Sequence, residues 1–247
     1  MEKMIELTSK KVFPTFLMTP DDKKKYPGLI VIEEIWGLND HIKDVAKRFA
    51  KEGYIVLSPE LLSETGITEK ADQSLLEQVK NPATRDEAQK KLRVLFAPLQ
   101  SPEFAESAIA KLKVCVDYLF AHKQVNSNVG VLGFCFGGTY AYALAAVDSR
   151  IKAAVPFYGH APEPHEEIKG IQCPVLAFYG EQDEGLMSTL PEVKKAMKKY
   201  GKDFEAVVYS NTGHAFFNDT NPNRYNKKAT EDAWKKSLKF LSGNLNK

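Results

Sequence analysis

The sequence contains few cysteines, and its charge is nearly balanced. Its three cysteines, Cys115, Cys135 and Cys173, have neither the spacing of a disulfide framework nor that of a metal site. We therefore expect free thiols, a reducing compartment and a cytoplasmic location. Because 34 basic and 32 acidic side chains leave a net charge of +2, and the lysines are scattered, we expect no nucleic-acid partner.

The sequence also lacks a secretory signal and an uninterrupted membrane span. Residues 1–6 have no apolar core of the kind that a signal peptide needs. One uncharged stretch of 19 residues, 129–147, has the length of a membrane span, but glycines interrupt it and favour a buried strand, turn and helix. No histidine–carboxylate cluster has ligand spacing, so we expect no metal and no other cofactor.

Residues 133–138 read Gly-Phe-Cys-Phe-Gly-Gly and join a run typical of a buried strand to a run typical of a helix. This is the nucleophile-elbow pattern with cysteine in place of serine. Glycines flank Cys135 because a strand that turns at once into a helix brings backbones close together. The first amides of the helix favour a thiolate and later an oxyanion. The alternative is that Cys135 is a small buried hydrophobe in a glycine-rich turn.

Apolar runs and helical periodicity alternate along the whole chain. We predict strands over residues 10–18 (as an edge strand), 28–32, 54–57, 129–132, 153–157, 173–178 and 204–209. We predict helices after an N-cap at Asn39 or Asp40, and over residues 71–80, 84–96, 102–122, 139–146, 189–200 and 226–241. The alternation predicts a single α/β domain over residues 1–247, with a mostly parallel central sheet flanked by helices on both faces. We expect the mixed helical segment at about 61–105 to line a pocket.

Four side chains that could carry chemistry follow predicted strands: Glu34, Cys135, Asp183 and His214. Because the carboxyl ends of parallel strands share one sheet edge, we expect these side chains to lie together. The order nucleophile, acid, histidine is that of an α/β-hydrolase. We therefore predict Cys135 as nucleophile, His214 as general base and then acid, and Asp183 as the group that orients the imidazole. Taken one at a time, the other three could be ordinary turn, loop or surface residues.

From about Val12 to its C-terminus, the chain resembles the dienelactone hydrolase family of α/β-hydrolases. The resemblance is carried by four motifs, at residues 33–39, 133–138, 180–183 and 213–216. It implies the α/β-hydrolase fold and a cofactor-independent ester or lactone hydrolase. It also implies that Glu34 holds the resting thiol and releases it when substrate enters, and that the N–H groups of Ile35 and Phe136 form an oxyanion hole. The Phe136 half of that hole also follows from the unpaired amides at a helix start.

The chain departs from the family pattern where a substrate would be held. In the best-known members a serine follows the catalytic histidine, and an arginine three residues beyond it holds the substrate carboxylate; here these positions are Ala215 and Asn218. For a second family arginine, before the elbow strand, the candidates are Arg85 and Arg93. The aromatic side chains of Trp36, Phe216 and Phe217 favour a more apolar pocket, although each could equally belong to the core.

The residues leave several functions open. The favoured prediction is a hydrolase that cleaves a small-molecule ester or lactone through a Cys135 acyl-enzyme. A thioesterase or a small acyl transferase would use the same residues with a different pocket. A redox-sensing thiol protein would use a reactive Cys135 without turnover, although no resolving cysteine is near in sequence. A non-catalytic binding module on the same fold is a further alternative. We expect a monomer or a small homo-oligomer, with no membrane partner.

Overall fold

An eight-stranded sheet lies at the centre of the chain in this computed structural model. The structure describes residues 1–71, 75, 78 and 83–246, with the backbone alone at Glu69 and Arg85. Within these residues the strands are β1 Glu2–Thr8, β2 Val12–Met18, β3 Tyr26–Ile32, β4 Ile55–Pro59, β5 Val125–Phe134, β6 Ile151–Phe157, β7 Val175–Gly180 and β8 Phe204–Tyr209.

The helices of the described residues cover the sheet on both faces. They are α1 Asp40–Lys51, α2 Ile67–Lys70, α3 Arg85–Phe96, α4 Pro102–Ala121, α5 Phe136–Val147, α6 Glu184–Lys199 and α7 Lys227–Leu245, with short 3-10 helices at Ala97–Gln100 and His165–Gly170. Helices α1 and α7 meet through the rings of Phe49 and Trp234, whose centroids lie 4.4 Å apart. Helices α4 and α5 meet through Phe104 and Tyr140. The predicted α/β fold is confirmed.

The sheet is mostly parallel, as predicted. Its strand order is β1-β2-β4-β3-β5-β6-β7-β8. The pairs β1–β2 and β2–β4 are antiparallel, and the pairs from β4 to β8 across the sheet are parallel. The parallel strands are continuous apolar runs because helices bury both of their faces; residues 29–32 of β3, for example, are all 0% exposed.

Most predicted elements are confirmed within a few residues, because each has a local signal. Asn39 caps α1, with its side chain accepting a hydrogen bond from the Ile42 N–H. Helices α3 and α4 match the predictions over residues 84–96 and 102–122. Most of the helix predicted over residues 71–80 lies outside the described residues.

The prediction that residues 10–18 form an edge strand is wrong in its placement. The strand β2 lies between β1 and β4, and β1 is the edge. The sequence predicts no strand over residues 2–8, because Leu7 is the one residue of β1 that is buried. What defines β1 is its backbone pairing with β2 and not a hydrophobic pattern. The pairing runs from Glu2 opposite Met18 to Thr8 opposite Val12.

The order of the strands reverses at β3, which places a crevice at one edge of the sheet. The chain adds β4 on one side of β3 and then returns to add β5 on the other side. The loops that follow β3 and β5 therefore leave in opposite directions, and ligands of open parallel sheets bind at such a point.

Candidate active site

Cys135 occupies the turn between β5 and α5, with its backbone in the left-handed region at a φ of 53°. This conformation is costly for a residue with a Cβ and persists only where the surroundings determine it. Close contacts require the glycines: a Cβ on Gly133 would lie 2.1 Å from the carbonyl oxygen of Gly137. A Cβ on Gly137 would lie 2.5 Å from the carbonyl oxygens of Ile32 and Glu33. The structure thus contains the strained strand-to-helix turn that the sequence predicts.

His214 and Asp183 meet at the same edge of the sheet. Asp183 follows β7 and His214 follows β8, and Nδ1 of His214 lies 2.5 Å from Oδ2 of Asp183. Burial lowers the pKa of His214, but the hydrogen bonds and charges of Asp183 and Cys135 outweigh burial and raise the pKa to about 10. Burial also raises the pKa of Asp183, and the hydrogen bond and charge of His214 reverse this and lower it. The carboxylate of Asp183 therefore favours the protonated form of the imidazole.

Cys135 differs from the other two cysteines in exposure and in its neighbours. Cys115 and Cys173 are buried, whereas Cys135 is partly exposed. Burial raises the pKa of the Cys173 thiol to about 12, and burial also raises the pKa of Cys115. Cys135 instead lies within the interaction range of His214. All three lie within the described residues, so Cys135 is the thiol that can react with a bound molecule.

Two backbone segments meet beside the thiol. The turn after β3 contains Ile35, and the first turn of α5 begins at Phe136; the close approach of Gly137 to the carbonyls of residues 32 and 33 joins them. Neither the Ile35 N–H nor the Phe136 N–H donates to another backbone carbonyl or side chain in the described chain. The first N–H groups of any helix lack an intrahelical acceptor. Both groups that the sequence assigns to an oxyanion hole are therefore available as donors.

Glu34 is almost completely buried at the end of β3, with an exposed fraction of 2%. Its Oε2 accepts a 2.8 Å hydrogen bond from the side-chain amide of Asn218, and its Oε1 accepts a 3.3 Å bond from the Tyr158 hydroxyl. Thr220 orients that amide, because its N–H and its hydroxyl both donate to Oδ1 of Asn218. Glu34 thus lies at the site, but these bonds run to Asn218 and Tyr158 and not to the thiol that the resemblance assigns to it.

Tyr158 belongs to the site although the sequence-based prediction omits it. It directly follows β6, has a φ of 38° and is 1% exposed, and its ring centroid lies 5.0 Å from that of His214. Burial, together with the charges of Glu34 and Cys135, raises the pKa of Tyr158 well above its usual value, so its hydroxyl remains a donor. The signal was present in the sequence: Tyr158 follows a predicted strand, just as Glu34 does.

Two aromatic residues predicted to line the pocket occupy different environments. Trp36 is half-buried in the turn after β3, and its ring centroid lies 5.8 Å from that of Phe96 on α3. It therefore lies between this turn and the helical segment. Phe216 is 0% exposed and packs edge-on against Tyr158 and Tyr209. The prediction that Phe216 lines a pocket is wrong, because the chain turns inward there and buries the ring in the core.

Of the two arginines predicted to contact the substrate, the structure describes the side chain of Arg93 alone. The side chain of Arg93 is exposed on α3 and forms no ion pair or hydrogen bond with the described chain. The side chain of Arg85 lies outside the described residues. Asn218, where the resembled family has an arginine, is 7% exposed and donates to Glu34. Ala215, in place of the family serine, has a φ of 60° beside the imidazole.

Taken together, these groups can perform nucleophilic chemistry on a carbonyl. The sheet edge brings together a thiol, an imidazole held by a carboxylate, and two free N–H donors. In residues 1–71, 75, 78 and 83–246, no three histidine, cysteine, aspartate or glutamate side chains are grouped to hold a metal ion. Among the described helices, none combines the length and the apolarity that crossing a bilayer requires.

Comparison with known proteins points to one family. The model of the dienelactone hydrolase family matches residues 13–245. A protein of Saccharolobus solfataricus named "Putative carboxymethylenebutenolidase" is 35% identical over 240 residues, which cover 92% of each chain. A protein of the same name from Methylorubrum extorquens is 31% identical over 235 residues, covering 91% of this chain and 75% of the other. A crystal structure of a "Putative Dienelactone Hydrolase" from Klebsiella pneumoniae superposes with a TM-score of 0.83, at 24% identity and 98% coverage of both chains.

Proposed function

Since the chain belongs to the dienelactone hydrolase family, we propose that it hydrolyses an ester or lactone of a small molecule through a cysteine acyl-enzyme. The observation that carries this proposal is the strained turn at Cys135 beside His214, which Asp183 holds at 2.5 Å. The names of the relatives support a butenolide lactone as one substrate to test.

The first half of the reaction acylates Cys135. His214 takes the proton of the Cys135 thiol, and its raised pKa favours the resulting imidazolium, so the attacking pair is a thiolate and an imidazolium. The thiolate sulfur attacks the carbonyl carbon and forms a C–S bond, while the π electrons move to the carbonyl oxygen. The N–H groups of Ile35 and Phe136 donate to that oxyanion. The intermediate then collapses, the bond to the leaving oxygen breaks, and His214 gives this oxygen its proton.

The second half releases the acid and restores the thiolate. His214, now neutral, removes a proton from water, whose oxygen attacks the carbonyl carbon of the thioester. The same two N–H groups hold the second oxyanion. When this intermediate collapses, the C–S bond breaks, Cys135 leaves as a thiolate and His214 is again an imidazolium. Asp183 keeps the imidazole in one orientation during both halves.

Glu34 has a separate part in this proposal. To hold the resting thiol, as the resemblance implies, its carboxylate would turn toward Cys135 and give up the weaker of its two present hydrogen bonds. The Tyr158 contact at 3.3 Å is longer than the Asn218 contact at 2.8 Å, so we place the exchange at Tyr158. Substrate entry would then return Glu34 to Tyr158 and free the thiol, whose proton passes to His214.

The test compares three proteins on two substrates. Initial rates are measured on a dienelactone and on a neutral aryl acetate with the wild type, Cys135→Ala and Cys173→Ala. We expect Cys135→Ala to lose at least about a thousandfold in rate, because the nucleophile is removed. Cys173→Ala is the matched control, since this thiol is buried away from the site, and it should keep its activity. Acid-quenched enzyme should carry one acyl group on the peptide that contains Cys135.

Two results would count against the proposal. Full activity in Cys135→Ala would exclude the cysteine as nucleophile, and an acyl group on another residue would assign the intermediate elsewhere.

Faster turnover of a matched thioester than of the oxygen ester would favour the thioesterase alternative. Oxidation of Cys135 by peroxide, with no hydrolysis of any ester, would favour the redox alternative.

A further inference from the structure

An open cavity of about 500 Å³ lies beside His214, and the mechanism above does not use it. Three loops line it: Gln182 after β7, residues 211–214 after β8, and residues 223–226 before α7. His214 is among its lining residues, and Cys135 is not. Its volume is in the range of small-molecule sites.

One permanent charge lines this cavity. Among the described lining residues, Arg224 carries it, and none is a carboxylate. The Arg224 guanidinium is exposed and forms no ion pair or hydrogen bond with the described chain. Arg150, by contrast, is held by two carboxylates at 2.6 Å. The cavity therefore offers an uncommitted planar cation, which suits a carboxylate or a phosphate.

The backbone around Arg224 is held while its side chain remains free. The Arg224 N–H donates to the carbonyl oxygen of Asn221 at 3.0 Å. Asn226 joins two walls of the cavity, because its amide donates to the Thr212 hydroxyl at 2.8 Å and its Oδ1 caps α7 at Ala229. A neighbouring acid, Glu181, does not line the cavity, and its carboxylate accepts from the Asn211 N–H at 3.1 Å. Backbone and side-chain hydrogen bonds thus hold the loop that carries Arg224.

The position of His214 relates this cavity to the reaction. In the proposed function His214 gives a proton to the leaving oxygen, so the leaving part of the substrate must lie against the imidazole. Because His214 and Arg224 both line the cavity, a leaving part that extends past the ring would meet Arg224. We propose that Arg224 selects substrates whose leaving part carries a carboxylate or a phosphate group. This inference rests on the proposed hydrolase function and adds a specificity-determining residue to it.

The experiment uses three acetate esters whose leaving groups differ in charge. They are 3-acetoxybenzamide, which is neutral, 3-acetoxybenzoate and 3-acetoxyphenyl phosphate. For each, kcat/KM is measured with the wild type, Arg224→Gln, Arg224→Lys and Lys228→Gln. Lys228 is an exposed cation on α7, four residues along, and does not line the cavity, so it reports the effect of net charge alone.

We expect the wild type to prefer at least one anionic ester over the neutral one. Arg224→Gln should lower that preference about tenfold, through KM, while the neutral ester is hydrolysed as before. Arg224→Lys should restore part of the preference, and the anion with the larger loss identifies the group that Arg224 recognises. An unchanged preference in Arg224→Gln, or an equal loss in Lys228→Gln, would overturn the inference. No Cys135-dependent hydrolysis of any of the three esters would instead contradict the proposed function and this inference with it.

Discussion

Replacing Asn218 by aspartate would turn an attractive hydrogen bond at the site into a repulsive contact between two carboxylates. The side chain would keep almost the same shape. The Asn218 amide donates to Oε2 of Glu34 at 2.8 Å, and both side chains are buried, with exposed fractions of 7% and 2%. In Asn218→Asp the donor becomes a carboxylate oxygen that faces another carboxylate. The Thr220 hydroxyl and N–H would still hold the opposite oxygen, so the new side chain could not easily turn away.

The expected cost depends on pH. Two like charges about 4 Å apart repel by about 4 kcal/mol at an effective dielectric constant of about 20. A chain of this size loses about 2–4 °C of Tm per kcal/mol, so we expect a loss of about 8–16 °C near pH 8. At low pH one carboxyl of the pair takes up a proton and becomes a donor. The folded variant holds this proton more tightly than the unfolded chain, so the recovered stability is complete below about pH 4 and is lost as the pH rises.

The measurement is the Tm of the wild type and of Asn218→Asp at several pH values from about 4.5 to 8.5. Asn223→Asp is the matched control, because Asn223 is exposed and makes no side-chain hydrogen bond with the described chain. The gap between the wild type and Asn218→Asp should widen steadily with pH, and the control should show a small, constant gap. A gap for Asn218→Asp that stays constant with pH, or that matches the control, would refute a buried Glu34–Asn218 contact.

Two further variants test the orientation of the imidazole and the elbow. Asp183→Asn should lower kcat/KM for a neutral ester by up to about 10⁴-fold. The alkaline decline of kcat/KM, which we expect near the His214 pKa of about 10, should also move to lower pH; an unmoved decline would contradict the role of Asp183. Gly133→Ala places a Cβ 2.1 Å from the Gly137 carbonyl oxygen and should lower Tm by about 6–12 °C, as expected of about 3 kcal/mol of overpacking. Gly243→Ala, on α7 with open space around it, is the control and should raise Tm slightly; equal Tm values for the two variants would contradict the close contact.

The sequence alone was sufficient for most of the strands and helices and for the turn that contains Cys135. Continuous apolar runs, glycines and capping residues are local signals, and each reports the burial or the turn of its own segment. The elbow is such a signal, because only glycine fits two residues before and two residues after Cys135 when the strand turns at once into a helix. Asp183 and His214 were also identified in advance, since the carboxyl ends of parallel strands share one edge.

Only the tertiary structure decided what surrounds these groups. The hydrogen bond between Glu34 and Asn218 joins residues 184 positions apart, and that between Glu34 and Tyr158 joins residues 124 apart. No local pattern encodes such pairs, because they depend on how loops from different strands pack. The same reason explains why Phe216 is buried in the core and why Arg224 faces a cavity beside His214. Periodicity identifies which segments are buried, but the direction of a loop side chain is set by the packing of the whole fold.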